Sequence, residues 1–163
     1  MIAAAMLPLV LMAQARIGVV NSQQLFDLMP EKAVAEAQLK ALSDKYHAEY
    51  ALLQAEFDKK YADYQTVAAD PSFPETIRER RVNELQESDK KMREFERQAA
   101  ADIAARRTAL TKPITDRIQA AIRTAGEQAA LDLVLDTAVT PVAYTGPNTI
   151  DLMPMVMVLL GLE

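Results

Sequence analysis

Few residues in this 163-residue chain could do chemistry, and their types and spacing do not suit catalysis. Cysteine is absent, so the chain has no thiolate nucleophile and no sulfur ligand for a metal. The single histidine, His47, has no neighbouring nucleophile, and a plain helix-surface residue is the simpler interpretation. Asp132 and Asp136 form a carboxylate pair, but they fit a strand and its turn better than a glycosidase cleft.

Cofactor motifs are absent as well. The sequence contains no glycine-rich phosphate loop, no pair of histidines at helical spacing and no Asp-rich calcium loop. We therefore predict a protein that is not an enzyme, with no catalytic, cofactor-binding or metal-binding residues and no cofactor.

The tyrosines are the side chains best suited to hold another molecule. Tyr combines a large contact area with a polar hydroxyl, so it can bind an apolar chain without requiring a particular sequence. The alternative is that the aromatic stripe is only a buried seam between two helices, and both interpretations can apply at different positions. The candidate binding residues are Tyr46, Tyr50, Phe57, Tyr61, Tyr64, Val67, Phe73 and Phe95.

Two long segments without Gly or Pro must position these aromatics. In residues 31–69, apolar and aromatic side chains recur at steps of three and four, which predicts a helix with one continuous stripe. Residues 75–112 form a second such segment, and the two prolines within residues 70–74 separate the two. Arms of matching length predict an antiparallel coiled-coil hairpin over residues 31–112, the arm, with its tip at residues 70–74.

Polar residues interrupt the stripe of the second helix. Ser88 or Asp89, and Arg106 or Arg107, stand where an apolar side chain is expected. The seam is therefore patchy, and we expect the hairpin to bend or splay more than a fully apolar coiled coil. Pro113 then removes a backbone hydrogen bond, and we predict a kinked hinge between the arm and the rest of the chain.

The segments that flank the arm have the pattern of short strands. The predicted strands are residues 17–20, 131–136 and 139–144. A short helix over residues 23–29 is predicted after the first strand, and a last helix capped by Asp151 ends at Gly161. Residues 16–30 and 113–163 are thus predicted to form a small β-containing body, and the fold class is mostly α with a small β part.

The first fifteen residues indicate the compartment. An apolar run from Ile2 to Met12 precedes Ala13-Gln14-Ala15, the small-x-small pattern of a signal-peptidase site, and Arg16 follows. We predict a cleaved signal peptide over residues 1–15, since the run is shorter than the roughly 20 residues that span a bilayer. A buried N-terminal helix is the alternative.

The charge of the chain restricts its partners. The net charge is −5 and the pI is near 5.0, and no Lys/Arg block occurs. This excludes a general nucleic-acid binder, because phosphate neutralisation needs clustered basic residues. The acidic charge does not support membrane-surface contacts either.

The order of these segments resembles the Skp/OmpH family of periplasmic chaperones for outer-membrane proteins. The N-terminal match is residues 16–26 followed by Pro30, similar to the first strand and short helix of that family. The C-terminal match is residues 131–136, 142–144, 151–154 and 160–161. A long helical hairpin lies between them, so the resemblance covers essentially all of the mature chain.

The resemblance implies a homotrimer in which strands of three subunits build a central body and three hairpins surround a cavity. It further implies an ATP-independent periplasmic holdase that binds unfolded outer-membrane β-barrel proteins and prevents their aggregation. The alternative is a structural coiled-coil adaptor or spacer of the cell envelope. The residues expected in the trimer body are Ile17, Val19, Val20, Leu133, Val134, Leu135, Val142 and Tyr144.

Overall fold

A computed structural model describes residues 15–162, so all of the predicted signal peptide except Ala15 lies outside the described residues. The elements in chain order are β1 (Ile17–Val20), α1 (Ser22–Leu28), α2 (Pro30–Ala69), α3 (Glu75–Gln128), β2 (Leu133–Asp136), β3 (Ile150–Asp151) and α4 (Met153–Leu160). The chain divides into two compact units. One is the arm, bounded here as Pro30–Pro113, and the other is the body, which comprises the residues up to Met29 and those from Ile114 onward.

In the arm, α2 and the first part of α3 pack as an antiparallel hairpin. Hydrogen bonds cross between the helices, and the sequence separations of three of them fall from 68 to 56 to 28 residues towards the tip. At about 1.5 Å per residue, the 40 residues of α2 extend for about 60 Å. The predicted mostly helical fold with a long hairpin and a small β part is confirmed.

Hydrogen bonds close the tip of the arm. The Asp70 carboxylate accepts the backbone N–H of Ser72 at 2.8 Å, and the Asp70 carbonyl accepts the N–H of Phe73 at 3.3 Å. The Arg78 guanidinium donates to the same carbonyl at 3.0 Å. Hydrogen bonds from Ser72 hold the pKa of Asp70 below its ordinary value, so its ionised form favours this turn.

The body contains a three-stranded parallel sheet in the order β2-β1-β3. Ile17 lies opposite Leu133 on one side of β1, and Gly18 lies opposite Ile150 on the other. The predicted strand over residues 17–20 matches β1, whereas the two-residue β3 has no counterpart in the prediction.

The core of the body is apolar. One cluster joins side chains of β1, α1, α4 and the last part of α3, and its fully buried large side chains are Leu25, Ile118, Leu152 and Val156. Gly18 is required at the centre of the sheet, since a Cβ there would lie 2.5 Å from Leu131 Cδ1 and 2.9 Å from Leu152 Cδ1. Close packing of β1 against these leucines thus leaves no space for a side chain at position 18.

The predicted strand over residues 139–144 is wrong. None of these residues belongs to a strand, because the chain turns after β2: the Asp136 carbonyl accepts the N–H groups of both Val139 and Thr140. Pro141 also lacks the N–H that a ladder needs. The sheet takes its third strand from Ile150–Asp151 instead.

The end of α3 belongs to the body. The helix continues past Gly126 to Gln128 and closes with Ala130 at a left-handed φ of 48°. The N–H of Leu131 donates to the Gly126 carbonyl, as in a Schellman motif with Ala at the position usually taken by Gly. Pro113 lies inside α3 without ending it, and its role as a hinge stays a prediction.

Candidate functional site

The aromatic side chains near the middle of the arm form one cluster. Tyr46 of α2 and Phe95 of α3 meet edge to face, with ring centroids 5.8 Å apart and an interplanar angle of 68°. The Tyr46 hydroxyl donates to the Asp102 carboxylate at 2.6 Å. That hydrogen bond raises the pKa of Tyr46, so the phenol stays protonated and keeps its position between the helices.

Tyr50 lies one turn further along α2, and its hydroxyl is also hydrogen-bonded to a carboxylate of α3. A hydrogen bond to the Glu96 carboxylate is the main cause that raises the pKa of Tyr50. The rings and the small side chains of α3 beside them enclose a surface cavity of about 370 Å³, which we call the notch. The notch is lined by Ser43, Tyr46, His47, Tyr50, Phe95, Glu96, Ala99, Ala100 and Ile103.

Closer to the tip, the first helix presents aromatic surface outward. Phe57 and Tyr61 stack with ring centroids 6.4 Å apart and an interplanar angle of 6°. Tyr61 is 47% exposed, whereas Leu53 and Val67 are 9% and 6% exposed. The predicted stripe thus has two parts, and Val67 lies in the buried seam and not on the accessible surface.

The tip carries the remaining candidates on α2 and the turn. Tyr64 and Phe73 are both half-buried. Tyr64 lines a surface cavity of about 570 Å³ together with Arg78, Val82 and the carboxylates of α3. This cavity is more polar than the notch, so its walls have less apolar contact surface.

Cross-helix hydrogen bonds satisfy the polar residues that interrupt the seam. Ser88 is 7% exposed and its Oγ lies 2.7 Å from Lys60 Nζ, which also pairs with Glu56 at 2.7 Å. Arg106 donates to the Gln38 side-chain oxygen at 2.7 Å. The sequence pattern predicted these interruptions as weak points, but the residues form specific bridges between α2 and α3.

In the body, the residues predicted for the trimer fall into three groups, which are buried, exposed and half-buried. Val20 is only 2% exposed and belongs to the core of the single chain. Leu133 and Tyr144 are 49% and 82% exposed. The others, Ile17, Val19, Val134, Leu135 and Val142, are half-buried.

The body exposes further apolar side chains. Val139 follows β2, and α4 leaves Val158 and Leu159 accessible. The outer edge of β2 has no strand beside it among the described residues, since β2 is the first strand in the sheet order. Exposed apolar surface next to an open edge is typical of an oligomer interface.

The two carboxylates considered for catalysis serve the fold of the body. Asp132 accepts the backbone N–H of Arg16 at 2.7 Å, and Asp136 accepts those of Ser22 and Ala138 at 3.0 Å each. Burial raises the pKa of Asp136, but the hydrogen bonds from Ser22 and Ala138 outweigh it, and the net effect is a lowered pKa. Both side chains tie β2 to the N-terminal segment.

Residues 15–162 contain no group of three or more His, Asp or Glu side chains that could hold a metal ion. No helix in this part of the chain is long and apolar enough to cross a membrane.

Comparison with known proteins gives the family. The model of the family described as "Outer membrane protein (OmpH-like)" matches residues 16–160, which is most of the chain and includes both the arm and the body. The chain belongs to the OmpH-like family. No curated protein matches it. At family level, OmpH-like proteins are periplasmic chaperones for outer-membrane proteins and not enzymes.

This OmpH-like chain distributes its charge unevenly. The arm has 16 acidic and 15 basic residues, whereas the rest of the chain has 7 acidic and 3 basic residues. The net charge of −5 therefore comes mainly from the body. The surface that carries the candidate binding residues is close to neutral overall, which the total charge does not reveal.

Sequence reasoning missed the carboxylates that accompany the tyrosines. Asp102 and Glu96 were not among the candidates, yet they bind the hydroxyls of Tyr46 and Tyr50. A signal for them exists in the hairpin register. Residues that pair across the two helices lie at similar distances from the tip, and that rule places both carboxylates within about one helical turn of the positions opposite the tyrosines.

Proposed function

We propose that this OmpH-like chain is an ATP-independent periplasmic holdase that binds unfolded outer-membrane β-barrel proteins between the arms of a homotrimer. The single observation that carries the proposal is the family match over residues 16–160. The accessible aromatic surface of the arm supports it, because many weak apolar contacts can hold an unfolded chain without a deep pocket.

Aromatic residues on the outer part of the arm are proposed to contact the client. Tyr61 is 47% exposed, and Tyr64 and Phe73 are half-buried, so all three can reach a bound chain. Replacing the three with Ser should weaken the suppression of aggregation of an unfolded outer-membrane β-barrel protein while the helix content stays unchanged. The measurement is light scattering of the diluted client at equal trimer concentration.

A matched triple variant controls for the number and region of the changes. Ala62, Gln65 and Thr76 are exposed in the same part of the arm, and their replacement by Ser should leave suppression as in the wild type. If both triple variants suppress aggregation as well as the wild type does, the aromatics serve only the seam. A wild-type protein that never suppresses aggregation would refute the holdase and favour the adaptor.

The trimer is proposed to form through the body. Leu133 is half exposed at the open edge of β2, and Tyr144 is more exposed still in a segment that pairs with no strand among residues 15–162. A sheet of three short strands gains stability when neighbouring subunits cover such edges. Leu133→Lys should shift the trimer to monomers in sedimentation velocity, whereas Gln128→Lys, the same charge on an exposed site, should not.

Export is proposed to follow cleavage after Ala15. The small residues Ala13 and Ala15 precede Arg16 as a signal peptidase requires, and the family match begins at residue 16. Intact-mass analysis of the protein isolated from the periplasm should give a chain that starts at Arg16. Retention of Met1 would refute the signal peptide.

A further inference from the structure

The notch on the arm has walls that offer negative charge and no cation. Its lining contains the rings of Tyr46, Tyr50 and Phe95 and the Glu96 carboxylate, and neither Lys nor Arg is among the lining residues. Asp102 stands beside it, bound to the Tyr46 hydroxyl. The arm as a whole is nearly neutral, so this negative charge is a local feature of the notch.

The hydrogen bonds of the tyrosines decide what the notch can bind. The Tyr46 hydroxyl donates a hydrogen bond to the Asp102 carboxylate, and the Tyr50 hydroxyl is hydrogen-bonded to Glu96. The carboxylates and the π faces of the rings therefore remain available to attract a positively charged group. The polar donors of the lining are the Ser43 hydroxyl and the ring of His47, which is exposed.

The floor of the notch is apolar. Ala99 is 8% exposed and Ile103 is half-buried, and Ala100 completes this surface on α3. A volume of about 370 Å³ is at the lower end of ligand sites and has room for one long side chain. A side chain with an apolar stem and a cationic end matches such a floor and rim, because the stem packs while the cation meets rings and carboxylates.

We propose that the notch binds an arginine side chain of the client, with the guanidinium against Tyr46, Tyr50 and Phe95 and beside Glu96 and Asp102. Arginine is favoured over lysine because its planar guanidinium stacks on rings and pairs with carboxylates at the same time. Strands of outer-membrane barrels alternate apolar and polar side chains, so an arginine at a polar position of an unfolded strand lies between apolar neighbours. The proposal rests on the proposed holdase function and names the chemistry of one of its contacts.

The test uses two fluorescein-labelled peptides of alternating apolar and polar residues, one with three arginines and one with citrulline in their place. Citrulline keeps the shape of arginine and removes its charge. Fluorescence anisotropy with the full-length protein should give about fivefold tighter binding of the arginine peptide in low salt, the ratio expected for a partly exposed cation–π contact. The buffer is kept at about pH 8, where an ordinary histidine is neutral.

Two double variants identify the notch as the cause. Glu96→Gln with Asp102→Asn keeps oxygen acceptors for the tyrosine hydroxyls and leaves the rings in place, so it should reduce the preference for arginine markedly through the loss of the two negative charges. Glu87→Gln with Asp58→Asn removes the same charge from exposed sites outside the notch and should retain the preference. Circular dichroism checks that the helix content of both is unchanged.

Each remaining outcome has a definite meaning. Equal binding of the two peptides by the wild type would overturn the proposal, as would an equal loss of preference in both double variants. If the wild type binds neither peptide but still prevents aggregation of an unfolded barrel protein, the notch is not a client site and the holdase function stands. If it also fails in the aggregation assay, the proposed function itself is refuted.

Discussion

The arm and the body are stabilised in different ways. The body has a continuous apolar cluster in which Leu25, Leu152 and Val156 are completely buried. The arm buries few side chains along its length, and hydrogen bonds such as those of Lys60 and Tyr46 link its helices. A packed apolar core has one stable arrangement, whereas separate polar bridges can be exchanged at lower cost. The difference suits the proposed function, in which the arm adapts its surface to different clients.

The largest expected effect tests this difference at one buried residue in each region. Ile118→Ala should cost about 2–5 kcal/mol of unfolding free energy in the body, since it leaves a cavity in a tightly packed cluster. Leu53→Ala in the arm should cost less, because the surrounding seam is mixed and partly exposed. Hydrogen exchange by mass spectrometry measures the two regions separately.

Gln119→Ala serves as the control for Ile118→Ala, since Gln119 is the exposed neighbour on the same helix. The Gln119→Ala variant should change hydrogen exchange in the body very little. An equal loss of protection from Leu53→Ala and Ile118→Ala would remove the proposed difference between the two regions.

The next effect concerns the glycines of the body. Gly18→Val should destabilise the body by about 1–3 kcal/mol through overpacking, because even a Cβ at this position would meet Leu131 at 2.5 Å. Gly126→Ala is the matched comparison, since its new Cβ would lie 3.3 Å from Val134 Cγ2 and the helix favours Ala. Denaturant midpoints of the two variants give the measurement. A neutral Gly18→Val would contradict the close packing of the sheet on its helices.

Acid should act on the body through Asp136. Its folded-state pKa is lowered, so it contributes stability above its ordinary pKa, and this contribution is lost as the pH falls through the folded value. Asp136→Asn should therefore lower stability at neutral pH and flatten the loss of stability on acidification. Thermal melts across that acidic range test this. Asp58→Asn, an exposed carboxylate of the arm, should keep the wild-type slope.

The smallest effect is expected for the polar bridges of the arm. A double-mutant cycle of Lys60→Met and Ser88→Ala should give a coupling of about 1 kcal/mol, because Ser88 is buried. The exposed pair Lys40–Asp44 within α2 should give about 0.3–0.5 kcal/mol or less in the same cycle. A coupling at Lys60 and Ser88 that is no larger than this control would mean that the bridge does not hold the arm.

The periodicity of the sequence was sufficient to predict the arm. A helix depends on residues three and four positions apart, and the breaks at residues 70–74 are local signals as well. For the same reason the starts of α2 and α3 agree with the prediction, and the last helix closes at Gly161 as expected.

The sheet was only partly predictable, because strand pairing is a long-range choice. Residues 139–144 have the apolar content of a strand, yet the turn after Asp136 directs the chain elsewhere and Ile150–Asp151 pairs with β1. No local pattern marks a strand of two residues.

The sequence by itself determined the family, the helical hairpin and the aromatic residues of its stripe, because these follow from composition, order and spacing along one chain. Only the tertiary structure decided which of those aromatics are accessible, and it placed Val67 in the seam and Tyr61 outside. It also paired the tyrosines with Glu96 and Asp102 and satisfied Ser88 through Lys60. Such contacts depend on the rotation and register of two helices, which no single stretch of sequence encodes.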